Sequence, residues 1–146
     1  MQLISPAFRE GAAIPAQYTS KSHNVSPPLN FVSVPKGTKS LALIVHDPDA
    51  PGGDYVHWTI WDMPADTDAI AANSVPVGAV QGLNSNNQNR YMGPCPPSGT
   101  HRYLFELYAL DTSLGLPSET ERDQLKKAME GHILEQHTLT GNFSAA

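Results

Sequence analysis

Thirteen prolines, scattered from Pro6 to Pro117, constrain this chain more than any other feature. Each removes a backbone donor and pushes the residue before it toward extended conformations, so the regular elements between them are short. Eleven glycines add to this, and the sequence describes many turns joining short strands. The first forty residues, punctuated by Pro6, Pro15, Pro27, Pro28 and Pro35, read as irregular structure with short extended pieces. A composition of 40% hydrophobic and 16% charged residues argues against both disorder and a coiled coil. The expectation is one domain over residues 1–146. A chain of that size hides roughly 70% of its unfolded surface, so its core needs no metal or disulfide staple.

Three apolar stretches carry the strand signal. Ser40–Asp47 (SLALIVHD) is short, rich in Leu, Ile and Val, and stopped by Pro48, which predicts a buried strand. Dense turn chemistry follows in DPDAPGG, and then β-branched and aromatic residues at 55–63 (YVHWTIWDM) predict a second strand. Residues 101–110 (HRYLFELYAL) alternate, with His101, Tyr103, Phe105 and Leu107 on one face. The other face, Arg102, Leu104, Glu106, Tyr108 and Leu110, is not polar throughout, so this strand belongs between packed layers.

One helix is expected. Ser118 and Glu121 form a capping-box pattern behind Pro117, ahead of the stripe Leu125, Ala128, Met129, His132 and Ile133, although Gly131 weakens its last turn. Residues 138–143 (TLTGNF) then return as a final strand. Residues 82–99, with four asparagines, three glycines and three prolines, fit no regular element, and surface filler and a functional loop both stay open.

Charge and cysteine usage exclude several function classes. Nine Lys+Arg against fourteen Asp+Glu give a net charge of −5, which disfavours nucleic acid as a partner. The single Cys95 cannot form an internal disulfide or a cysteine-only metal site. The opening MQLISPAFREG, without a basic start or an uninterrupted apolar run, does not read as a secretory signal, and no run approaches the roughly 20 apolar residues of a membrane span. The expectation is a cytoplasmic protein without integral membrane association.

Between Lys39 and Arg90 there is no basic residue, yet six aspartates fall there. Asp62, Asp66 and Asp68 read as ordinary turn residues, whereas Asp47 and Asp49 close an apolar strand and sit between prolines. Two stretches, HDPDAPGGDYVHW at 46–58 and GPCPPSGTHRY at 93–103, gather Asp47, Asp49, His57, His101 and Tyr103 beside rigid turns. One strand histidine is usually structural, but five such groups next to fixed backbone are candidates for a site.

DPDAP at 47–51, His57-Trp58 and GPxPPxGxHRY at 93–103 resemble the phosphatidylethanolamine-binding protein family, in its bacterial and archaeal Raf-kinase-inhibitor-like branch. NVSPPL at 24–29, PKGTKS at 35–40 and YALD at 108–111 agree, so the resemblance covers essentially the whole chain in order. It implies a mainly β, β-sandwich-like fold, in which a large antiparallel sheet pairs with a smaller one beside one or two short helices. It also implies a small anion pocket walled by Asp47, Asp49, His57, His101 and Tyr103, with Gly93, Pro96 and Pro97 from the second motif. The implied partner is a phosphate-like anion or phosphorylated small molecule, with no cofactor and no catalytic reaction. Some members are described as kinase or protease inhibitors, so a protein target and a homodimer belong to the same expectation. The sequence departs from the pattern at His46, where relatives commonly carry an aromatic residue.

An anion beside aspartates looks repulsive, but a histidine can present one ring nitrogen to the anion while a carboxylate orients the other. Tyr103 and backbone amides near Gly93 and Gly99 would add donors. Three other readings stay open: a module that inhibits partner proteins through its loops, a metal-dependent enzyme using two histidines and a carboxylate, and Cys95 as a nucleophile.

Overall fold

A computed structural model describes residues 1–145. Its strands are β1 (Gln2–Ile4), β2 (Leu29–Val32), β3 (Ser40–Asp47), β4 (Tyr55–Pro64), β5 (Ala69–Ile70), β6 (Val80–Gln81), β7 (Thr100–Leu110) and β8 (Ile133–Ser144). A 3-10 turn at Ala16–Tyr18 and the helix α1 (Arg122–Met129) complete the regular elements among the described residues. The strands form two antiparallel sheets, one ordered β1-β2-β5 and the other β6-β4-β3-β7-β8. This is the mainly β, two-sheet arrangement that the sequence implies.

Strand β3 is apolar without alternation because both of its faces are covered. Leu41, Leu43 and Val45 meet Leu3, Leu29, Phe31 and Ile70 between the sheets. Ala42 and Ile44 lie on the outer face with Trp61, Tyr108 and Leu110, under Leu125 and Met129 of α1. Strand β7 behaves as its alternation requires: Tyr103, Phe105 and Leu107 enter the main core, while Tyr108 and Leu110 lie under the helix. Burying each large side chain stabilises by about 1.5–3 kcal/mol, so these two layers dominate the favourable side of folding.

The C-terminal third departs from the sequence reading. The helix starts at Arg122, and its capping box is Glu121 with Gln124, three residues beyond the expected Ser118–Glu121 pair. Thr120 donates its amide and hydroxyl to the Pro117 carbonyl, which turns the chain before a helix can begin. The helix ends at Met129, and Gly131 takes φ +80°, so His132 and Ile133 leave the expected stripe. β8 begins at Ile133 and pairs with β7 along its whole length, from Leu110↔Ile133 to Thr100↔Ser144. Cross-strand pairing with an eleven-residue neighbour therefore overrides weak helical periodicity.

Candidate functional site

The site forms where β3 ends, because Pro48 stops the strand at a residue whose side chain has two tasks. Asp47 is buried, and its Oδ1 accepts the Asp49 amide at 2.8 Å, which shapes the turn. Its Oδ2 accepts from His101 Nδ1 at 2.6 Å, so the end of β3 orients a ring at the start of β7. His57, two residues into β4, is also buried. Its Nδ1 donates to the Met92 carbonyl, and the Met92 amide returns a bond to the His57 carbonyl at 3.0 Å.

These groups converge. Asp47, His57 and His101 line one cleft of about 230 Å³ with Ala50, Pro51, Tyr55, Met92, Cys95 and Pro97. A carbonyl or carboxylate only accepts, so both Nδ1 atoms carry the proton, and no described residue bonds either Nε2. Those two nitrogens are the ring atoms left without a partner among the described residues. Burial pushes the His57 pKa down against the smaller opposing effects of Met92 and the Asp47 charge, so this ring is neutral at neutral pH.

Other expected residues fall elsewhere. Tyr103 packs its ring edge-on to His57, with centroids 5.3 Å apart, below the cleft rather than on its surface. Its hydroxyl is buried without a hydrogen-bond partner among the described residues; the Cys95 amide lies close but off bonding geometry. Burial, and then the Asp47 charge, push this phenol's pKa up, so it remains a neutral donor. Asp49 faces away and takes Arg102 in a two-pronged pair, Nε to Oδ2 and Nη2 to Oδ1, both 2.9 Å, while also accepting the Arg102 amide. Those bonds hold its carboxyl down at about 2. Arg102 is thus an ion-pair partner, on the exposed surface rather than between layers.

Gly93 and Pro96 do not line the cleft, and the Gly93 amide is engaged by Asn24 Oδ1 at 2.7 Å. Gly93 instead permits close packing, because the Tyr18 carbonyl lies within 2.4 Å of where a Cβ would project. Tyr55, Met92 and Cys95 are cleft residues that the sequence did not single out as ligand contacts. Tyr55 could have been found, since period-two alternation puts it beside His57 on β4, and the rings lie 5.0 Å apart. The loop at 82–99 is fixed by Asn84, whose Oδ1 accepts the Asn86 and Gln88 amides while Nδ2 donates to the Arg90 carbonyl. Among the described residues, no three His, Cys, Asp or Glu side chains are grouped so as to hold a metal ion.

A second cluster lies behind the first, on the helix face of the large sheet. His46 meets Asp54 through Nδ1 at 2.7 Å and Glu106 through Nε2 at 3.2 Å. Two accepting carboxylates require both ring nitrogens to donate, so this ring is an imidazolium. Burial opposes that charge, but the bonds to Glu106 and Asp54 raise its pKa overall. Arg122 at the start of α1 also holds Asp54, at 2.7 Å, and Tyr108 donates to Glu106 at 3.0 Å. The turn at 48–54 is therefore pinned on two sides.

The sequence profile of the phosphatidylethanolamine-binding protein family matches residues 4–144. A protein of Chlamydia pneumoniae described as a UPF0098 protein is 47% identical, covering 98% of each chain. One of Methanothermobacter thermautotrophicus with the same description is 45% identical, again over 98% of each. The crystal structure of CT736 from Chlamydia trachomatis, described as a phosphatidylethanolamine-binding protein homologue, superposes with a TM-score of 0.95 at 40% identity, over 98% of this chain and 96% of that one. Escherichia coli YbcL, described as a member of the mammalian family, gives 0.92 at 29% identity, over 98% and 97%.

Proposed function

This chain belongs to the phosphatidylethanolamine-binding protein family, and on that premise we propose that its Asp47–His57–His101 cleft binds phosphate-type anions or small phosphorylated molecules without transforming them. The observation that carries the reading is that two imidazoles from different strands, each anchored through Nδ1, meet at one small cleft. Such a ring offers a hydrogen bond of fixed direction, and protonation turns it into a charge-assisted donor. A non-catalytic role is supported by the same geometry. Asp47 is already committed to the turn and to His101, and no described side chain is hydrogen-bonded to the Cys95 thiol as a base would be.

Among the described residues no Lys or Arg lines the cleft, so binding is weak and depends on protons. Acid supplies that proton either to a ring, whose free nitrogen becomes a charge-assisted donor, or to the phosphate itself. Phosphate titrated by calorimetry between pH 5 and 8 should bind more tightly as pH falls, and His101→Ala should lose most of the signal. Equal affinity across that range, or full retention in the folded His101→Ala variant, refutes the proposal.

A further inference from the structure

We infer that the cleft selects anions that carry a proton of their own, inorganic phosphate and phosphomonoesters, over sulfate and phosphodiesters. The inference rests on the anion reading above and specifies which anions satisfy it. Its basis is the count of free donors and acceptors around the cleft.

Most donors are already engaged, the exception being the Tyr103 hydroxyl buried beneath the cleft. His57 Nδ1 donates to Met92, His101 Nδ1 donates to Asp47, and the Tyr55 hydroxyl points to the Met92 sulfur at 3.4 Å. The amides of Asp49, Met92 and Gly93 are bound to Asp47, His57 and Asn24. Arg102 is turned outward onto Asp49. What remains free includes lone pairs. Because Nδ1 of His57 carries the proton, its Nε2 is an acceptor whenever the ring is neutral. Burial favours that neutral ring, and the titratable groups facing it are Tyr55 on β4, Asp47 on β3, His101 and Tyr103 on β7, and Cys95 of the loop.

An oxygen without hydrogen placed against that lone pair leaves two acceptors facing each other, both stripped of water. A P–OH group removes the conflict by donating to Nε2. Near pH 6.5 inorganic phosphate holds such a proton in both of its ionic forms, and a phosphomonoester, whose second pKa is about 6, holds it in about a quarter of its molecules, whereas sulfate has none. A phosphodiester has esterified both positions and has none at any working pH. Net charge does not reproduce this pattern, because sulfate carries two charges and a phosphodiester one.

The test uses the unmodified protein at pH 6.5, titrated separately with inorganic phosphate, methyl phosphate, dimethyl phosphate and sulfate. Dimethyl phosphate stands for the linkage of a phospholipid headgroup, and methyl phosphate for a free monoester. The expected result is binding of the first two, with dimethyl phosphate and sulfate at least tenfold weaker, a difference of about 1.4 kcal/mol. If sulfate or dimethyl phosphate binds as tightly as phosphate, the selection is overturned while the anion site stands. If none of the four binds, the anion site fails and this inference fails with it.

Discussion

Replacing Gly93 with alanine should unsettle the fold and the cleft together. The added Cβ would project 2.4 Å from the Tyr18 carbonyl oxygen, 2.6 Å from Asn24 Oδ1 and 2.9 Å from Thr19 Cα. Unstrained contact needs about 3.4 Å or more, so something must yield by about 1 Å. The Tyr18 carbonyl resists because it holds the Tyr91 hydroxyl at 2.7 Å, and Asn24 resists because it holds the Gly93 amide. The 92–94 segment therefore moves, taking the Met92 carbonyl away from His57. Overpacking of this kind costs about 1–3 kcal/mol, and the strained Asn24–Gly93 bond adds about 1 kcal/mol. At about 3 °C per kcal/mol for a chain of this size, the Tm should fall by about 6–12 °C. Thermal unfolding followed by circular dichroism measures this, and phosphate titration of the folded variant should show weakened binding. The control is Gly52→Ala in the neighbouring turn, where an added Cβ meets nothing within 4 Å; it should stay within about 0.5 kcal/mol of the parent. If the two variants melt within about 2 °C of each other, the packing argument is wrong.

Asp49→Ala should retain phosphate affinity within about twofold, because its carboxylate faces Arg102 and not the cleft; a loss comparable to that of His101→Ala would place Asp49 among the ligand contacts after all. His46→Gln should narrow the stability range on one side only. The raised pKa of His46 in the folded chain means that its contribution is full below about pH 6.5 and disappears as pH rises through the raised value. The stability gap between parent and variant should thus be larger near pH 6 than near pH 9, by on the order of 1 kcal/mol in this partly solvated cluster, and a constant gap contradicts the imidazolium assignment. Phe105→Ala removes a ring buried between the sheets and should cost about 3–5 kcal/mol in urea unfolding; a cost below about 1 kcal/mol would show that the core collapses around the void.

Much of this architecture is legible in the sequence because proline and hydrophobicity act locally. Pro48 stops β3 at Asp47, where the apolar run ends, and the alternation of β7 assigns its faces correctly. The C-terminal region is less legible, since α1 and β8 compete for Ile133. A rival with a long partner strand gains cross-strand bonds that sequence periodicity does not encode. Within the site, residue type indicated Asp47, His57 and His101 but not direction. Asp49 lies two residues from Asp47 in the same turn, yet it faces the opposite way because Arg102 draws it outward. The Met92 carbonyl as the partner of His57 could not be foreseen, because any residue supplies a carbonyl.

The turn at 48–54 has a consequence for folding. Its anchors, with that of Asp47 just before it, reach across 54 residues to His101, 53 to Arg102 and 68 to Arg122. Each of those loops must close before the anchor can form, so its closure entropy is spent before the contact rewards it. The cleft is consequently absent from any state in which β3 and β4 have paired without β7, because His101 belongs to β7. A ligand that recognises it binds the finished native state alone and protects the chain from unfolding by mass action.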